Sequence, residues 1–387
     1  MTGVVPLRWQ WRPDADLVAD PVPAGDALVV CDAANRVHAL DVATGRLRWS
    51  WQADGPITAP IAVAGAWVYV SGPRSAVTAL DLASGRASWQ VDHRGDWYER
   101  EHPSVTSPPL VVGDLLVYRT AWGMHGLDRD TGASRWWTRL FSESVDAAAD
   151  SRPVAYRGLL LATRTATDNG NVHEGSLVAI APADGSIAWE YQDEEVVEDC
   201  PRWLVVPLSP LVADGRVCVL ESNQLRYFEL EDGDPGELFL ATVDAATGHP
   251  VGRSTLGSLA RSTAPPVLAV GALWLPYAEP LPGTDTAAPG SGAILAVDQA
   301  TGQLRSQTVL SAPPVAPPLV AGTWLYLLTA DHAVQVVDPS TGLLHRRLAI
   351  TEDRAVIQTP TASCGLAAGN DWLAVQHGGE LALITTA

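Results

Sequence analysis

The chain has 387 residues, 47% of them apolar, enough for one large all-β unit or two average domains with a sizeable core. Its 25 basic residues against 44 acidic ones give a net charge of −19, which repels phosphate backbones and anionic lipid surfaces and suits neutral or cationic ligands. Every basic residue is arginine, and the absence of lysine excludes Schiff-base chemistry, a Walker A phosphate loop and Ser-Lys dyads.

The first residues, MTGVVPLRWQWRPDAD, show no apolar h-region, lipid-attachment cysteine or small-residue cleavage site, and no later stretch reaches the length of a membrane span. A cytoplasmic protein is expected, with neither nucleic acid nor membrane as partner. Residues 39–51, ALDVATGRLRWSW, then read as an apolar strand, a turn built from Asp41, Thr44 and Gly45, and a second strand carrying Trp49 and Trp51. The turn recurs at Asp81 to Gly85, Asp128 to Gly132, degenerately at Ala181 to Gly185, then at Asp244 to Gly248, Asp298 to Gly302 and Asp338 to Gly342. The Asp side chain accepts from N–H groups just downstream and Gly supplies a positive φ, so turn chemistry suffices to explain the phrase. Eight positions after the first residue of each turn stand Trp49, Trp89, Trp136 and Trp189, replaced by Gly252, Ser306 and Arg346 in the last three copies. Docking between neighbouring sheets is the simplest role for these indoles.

A proline opens an apolar run before each turn, at Pro21, Pro60, Pro108, Pro153, Pro210, Pro265, Pro317 and Pro360. Each run passes a short Gly-bearing turn into a second apolar strand, so each unit has four strands. The units cover roughly 18–52, 57–92, 105–140, 150–191, 205–255, 262–309, 314–350, and 357–387 with 5–11. The eighth stops one strand short, and PLRWQW at residues 6–11 matches GRLRWSW, so the N-terminal strand should complete the C-terminal sheet. Radial repetition closed in this way predicts a single-domain, all-β, eight-bladed β-propeller. Cys31, Cys200, Cys218 and Cys364 are scattered, which signals neither a zinc site nor a disulfide framework.

The phrase A-x-D-x-x-T-G-x-x-x-W resembles the tryptophan-docking repeat of quinoprotein-like, PQQ-repeat propellers, over nearly all of the chain. That resemblance implies the eight-bladed fold. It covers PQQ-dependent alcohol dehydrogenases, a barrel-assembly lipoprotein and sensor domains, so it does not settle function. In the dehydrogenase branch it implies a calcium-held quinone beside a vicinal cysteine pair; this sequence has no Cys-Cys and no evident calcium insertion, so PQQ is not expected. The lipoprotein branch implies export and a lipidated cysteine, and since the first residues signal neither, that branch is not expected.

Insertions locate the expected functional face. From Trp49 to Pro60 is 11 residues, whereas Trp89 to Pro108, Trp136 to Pro153 and Trp189 to Pro210 span 19, 17 and 21. From Pro60 to Asp81 is 21, whereas units four, five and six span 28, 34 and 33. By alternation of strand direction, these six insertions leave the same end of their blades, where loops on a rigid scaffold carry binding and catalysis. The loop DHRGDWYEREHPS offers His93, Asp96, Trp97, Tyr98 and His102, and RTATDNGNVHEG offers His173. QDEEVVEDCPRW adds Glu194, Glu195, Arg202 and Trp203, and ESNQLRYFELEDGDPGE adds Glu221 and Tyr227.

The residues before the eight prolines should ring the channel mouth. Ala59, Ser107, Ser209, Ala264, Ala316 and Thr359 are small, and Asp20 and Arg152 break the pattern. Arg152 would hold a carboxylate or phosphate, or else pair with Asp20 or a neighbouring Glu. His125 and His377 are candidates for the funnel lining. His93, His102, His173, Tyr98 and Arg152 are the candidate catalytic set, and Trp97, Trp122, Arg202, Trp203, Tyr227, Glu195, Glu221 and His377 the candidate ligand contacts. No metal ligand is assigned, although His93, Asp96 and His102 have the composition of a two-His-one-carboxylate set, so a divalent ion remains open. Two functions fit: an enzyme applying non-redox general acid and base chemistry to a small molecule or peptide segment, and a platform that holds a basic peptide or partner protein.

Overall fold

The computed structural model describes residues 2–4, 7–72, 76–91, 107–120, 123–140, 152–168, 171–192, 196–197, 200–201, 204–205, 209–222, 238–257, 264–280, 288, 290–349, 364–377 and 379–385. They form eight antiparallel blades and, among the described residues, no helix long and apolar enough to cross a membrane. Blade one is typical: Val22–Ala24, Ala27–Cys31, Arg36–Asp41 and Leu47–Gln52 pair in chain order. Apolar residues alternate along each strand, and in a radial array each blade buries both of its faces. The core is therefore a set of layers between blades. Trp49, Val29 and Cys31 of blade one pack on Ile61, Val68 and Leu80 of blade two, and comparable clusters fill each junction round to blades eight and one, where Trp9 and Trp372 meet Leu28 and Leu40. That last cluster closes the ring.

Closure is by Leu7–Trp11, which pairs antiparallel with Glu380–Thr385 as the fourth strand of blade eight. One feature was not expected: Thr2–Val4 adds a parallel fifth strand to the outer edge of blade seven, opposite Arg347 to Ala349. The first strand of blade eight is Gly365–Ala368, so it starts beyond Pro360, which lies outside the described residues.

The repeated turn behaves as its chemistry predicts. Asp41 Oδ1 accepts from the Thr44 N–H at 2.9 Å and its hydroxyl at 2.8 Å, and Gly45 sits at φ +69°. The degenerate fourth turn keeps this device by moving the carboxylate: Asp184 accepts from the N–H and hydroxyl of Ser186. Gly45, Gly85, Gly132, Gly185 and Gly248 each receive an indole from the preceding blade. A Cβ on Gly45, Gly85 or Gly248 would lie 2.6 Å from the ring of Trp9, Trp49 or Trp189, and the Trp9 and Trp49 N–H groups donate to the Val42 and Leu82 carbonyls at 2.7 Å. Between blades five and six the residue against the turn glycine, Gly302, is Ser254, two positions beyond the expected Gly252. Ser306 does sit against Gly342, as its spacing predicts.

Candidate functional site

Strand alternation gives the propeller two unlike faces. The lower face carries the repeated turns, closed by their own side chains and by arginines such as Arg48, which spans Asp41 and Asp26 at 2.6 and 2.8 Å. On the upper face end the links between second and third strands and those between blades. All six insertions fall between strand ends that reach this upper face. Part of the fourth-blade insertion differs from the expected loop: Leu159–Asp168 and Asn171–Ile180 run on as a paired hairpin to Asp168 and Asn171. Leu204–Val205 packs beside this hairpin and pairs with Glu221 and Ser222 of blade five.

First strands of neighbouring blades approach one another, as Val22–Ala24 does with Ala59–Ala64 and Gly365–Ala368, so they are the inner strands. The residues just before them ring the upper mouth of the channel. Ala59, Ser107 and Ala316 are buried there, while Asp20 and Arg152 remain exposed. The Arg152 N–H donates to Ser209 Oγ at 2.8 Å, which ties blade four to blade five and fixes where the Arg152 backbone sits. The Asp20 carboxylate lies so close over Gly365 that a side chain there would collide with it. Crowding by protein pushes the Asp20 pKa up, against the pull of the Arg152 charge, so the two groups sense each other. Among the described residues they nevertheless form no contact ion pair. The Cys364 thiol is raised by burial and by Asp20, which makes it a poor nucleophile.

Outward along the same face, polar groups are buried in the seams between blades. Glu221 is fully buried; Oε1 accepts from the Tyr191 hydroxyl and Oε2 lies against Arg253 Nε, both at 2.7 Å. Burial first, then the Glu221 charge, pushes the Tyr191 phenol up. A groove of about 440 Å³ runs from beside Tyr191 and Arg253 along the flank of blades four and five towards the lower-face turn residues Gly248 and His249. At the seam of blades eight and one, Asp32 is fully buried and accepts from the N–H groups of Ala34 and Arg36 and from Arg36 Nε, with His38 Nε2 at 3.0 Å. Burial opposes ionisation of Asp32, but the His38 and Arg36 hydrogen bonds prevail and hold its pKa low. Trp11 meets the His38 ring edge-on, with centroids 5.1 Å apart.

The family model for the outer membrane protein assembly factor BamB matches residues 7–171 and 237–387. The chain belongs to the BamB family. BamB from Moraxella catarrhalis is 18% identical with a TM-score of 0.66, over 99% of this chain and 100% of that one. A quinohemoprotein alcohol dehydrogenase from Comamonas testosteroni is 14% identical at a TM-score of 0.67, covering 98% of this chain and 76% of that one. A europium-containing methanol dehydrogenase is 14% identical at 0.64, covering 96% and 84%. These likenesses establish the fold. No curated protein is similar enough to match.

Of the residues singled out in this BamB-family propeller, Arg152 stands at the channel mouth and Glu221 is turned inward, both oxygens engaged. The His173 backbone falls at a bulge in the fourth-blade hairpin, and that of His377 ends the second strand of blade eight, opposite Glu380. His125 is buried and stacks on Tyr118 at 4.8 Å, which makes it structural. His93, Trp97, Tyr98, His102, Trp122, Glu195, Arg202, Trp203 and Tyr227 lie outside the described residues. Cys31, Cys218 and Cys364 are not joined in disulfides, and no three His, Cys, Asp or Glu side chains converge as metal ligands among the described residues. Sequence reasoning missed the Asp32 and Tyr191–Glu221–Arg253 clusters.

Proposed function

We propose that this BamB-family chain is a binding propeller: its upper face holds a cationic peptide segment or partner protein and leaves it chemically unchanged. The observation that carries this reading is the inequality of the two faces. The lower turns are short and satisfied by their own Asp, Thr and Arg side chains, while the strand ends that flank the insertions lie at the upper end, with the side-chain charges of Asp20 and Arg152, which make no hydrogen bond or ion pair among the described residues. The family's description as an assembly factor supports a scaffold role, and the net charge of −19 favours a basic partner. Short arginine-rich peptides and their neutral counterparts provide the test, followed by tryptophan fluorescence at low and high salt. The arginine-rich set should bind, weaken as salt rises, and lose affinity at least roughly tenfold on Glu194→Gln with Glu195→Gln but not on Asp26→Asn with Asp114→Asn. Equal effects from the two faces, or no preference for positive charge, would sink the proposal.

A second reading is favoured by Asp20, whose raised pKa suits a general acid or base opposite the Arg152 cation. Here the same face, with His93, Tyr98, His102 and His173, acts on a small molecule by a non-redox step. Mass spectrometry of a bound ligand after prolonged incubation separates the two: recovery unchanged favours binding, and recovery altered favours the enzyme.

A further inference from the structure

Asp20 and Arg152 occupy equivalent positions of blades one and four, each immediately before the proline that precedes an inner strand. Two opposite charges at one mouth would ordinarily close into an ion pair. Here neither the guanidinium nor the carboxylate makes a hydrogen bond or ion pair among the described residues, although each lies within electrostatic reach of the other. Ser107 holds the same position in blade three, next to Arg152 round the ring; it is fully buried and its hydroxyl has no partner among the described residues. A buried hydroxyl without a partner is unfavourable, and a ligand oxygen would satisfy it. Below the mouth the inner strands Val22–Ala24, Ala59–Ala64, Leu110–Val112, Val154–Tyr156, Leu211–Ala213, Val267–Ala269, Leu319–Ala321 and Gly365–Ala368 carry no charged residue. Their one hydroxyl, on Tyr156, is engaged by the Gly215 N–H at 2.7 Å.

We propose that the channel mouth between Arg152, Ser107 and Asp20 is a binding site for a small zwitterion with an apolar body, of the class of the free aliphatic and aromatic amino acids. Arg152 takes the carboxylate through its fork, Ser107 donates to the same oxygens, Asp20 takes the ammonium, and the apolar body lies along the uncharged channel wall. A simple carboxylic acid would be repelled by Asp20 and a simple amine by Arg152. The zwitterion satisfies both. This proposal rests on the upper face being the binding face and adds the chemistry of one ligand.

Calorimetry with apolar L-amino acids from valine to tryptophan, each compared with its N-acetyl derivative and its amide, tests the site. At least one free amino acid should bind roughly tenfold or more tightly than either derivative. Arg152→Ala should remove the advantage over the amide, and Asp20→Asn the advantage over the N-acetyl form. Neither side chain makes a hydrogen bond or ion pair among the described residues, so unchanged thermal unfolding should accompany these losses; if either variant unfolds early, Ser107→Ala, expected to weaken the free amino acid several-fold, replaces it. If no amino acid binds, or if both derivatives bind as well as the parent, the site is refuted. Arginine-rich peptides titrated alongside separate the two proposals: peptide binding without amino-acid binding overturns this site alone, and failure of both overturns the binding face as well.

Discussion

The Glu221 carboxylate shows how a single residue reads differently in sequence and in space. It opens the acidic stretch ESNQLRYFELEDGD and so looks like a loop carboxylate, yet it follows Val217 and Val219 at period two, and those two valines face blade four in the core. Glu221 therefore lies on the same buried side, and only the Tyr191 hydroxyl and Arg253 make that tolerable. Glu221→Ala should destabilise the protein by about 2–3 kcal/mol, below the usual loss for a buried pair because Arg253 keeps some solvent contact; Tyr191→Phe should cost about 1 kcal/mol. Urea unfolding of the three proteins checks the order, and a neutral Glu221→Ala would refute the clamp. Arg152 and Asp20 were legible for the opposite reason: they interrupt a series of small residues, and a break in a repeat is visible without knowing any contact. The turn carboxylates make a pH argument at the same scale. Hydrogen bonds from Arg48, Thr131 and Arg305, respectively the leading causes, hold Asp41, Asp128 and Asp298 at about 2, below the ordinary carboxylate value. Such groups contribute stability above their unfolded pKa, near 4, and lose it as pH falls through about 4 to about 2. Thermal unfolding should therefore move to lower temperature across that window. Arg48→Ala should be less stable than the parent at neutral pH and converge with it near pH 2; parallel curves would argue against the linkage.

At the scale of the element, the hairpin turn and the docked indole form one unit. The turn needs a residue at positive φ, and the neighbouring indole needs that residue to lack a Cβ. The two demands can be separated. Gly25 has φ +66° with open space around its missing Cβ, whereas Gly85 has φ +69° and Trp49 beneath it. Gly25→Ala should cost about 1 kcal/mol, from backbone strain alone, and Gly85→Ala about 2–4 kcal/mol, from strain plus overpacking against the indole. Equal losses in chemical denaturation would remove the steric half of the argument. Although each indole acts on the turn of the next blade, turn and indole recur together in the sequence at a fixed spacing, so the repeat was readable in the chain and with it the blade count. The fourth-blade hairpin was not readable in its outer half: RTATDNGNVHEG shows no alternation of apolar and polar residues, so nothing in it distinguishes a paired strand from a loop. Thr2–Val4 was hidden for a similar reason, since three residues pairing through backbone alone leave no side-chain pattern.

Over the whole molecule, one short strand makes the ring. Leu7–Trp11 completes blade eight against Glu380–Thr385, and Trp9 crosses to blade one, over Gly45, with its N–H on the Val42 carbonyl. The ends of the chain are thus joined by a ladder, an interblade core cluster and the buried Asp32–His38 pair packed under Trp11. Removing residues 1–5 deletes only the three-residue parallel strand on blade seven, so the ring should stay closed and the unfolding temperature fall by a few degrees at most. Removing residues 1–11 takes away the closing strand, uncovers the edge of Glu380–Thr385 and opens the apolar seam between blades eight and one. An exposed edge beside an apolar seam favours intermolecular pairing, so this longer truncation should lose cooperative unfolding and elute as aggregate. A synthetic peptide carrying residues 5–13 should restore a cooperative transition and a monodisperse species, because it returns both the ladder and Trp9. The same peptide with Trp9→Ala keeps the ladder but lacks the indole, a loss of about 3–5 kcal/mol, and should fail at matched concentration. If the truncated chain unfolds like the parent without any peptide, closure rests on the seven complete blades and not on this strand. If the two peptides rescue equally, the ladder closes the ring and Trp9 only packs against it.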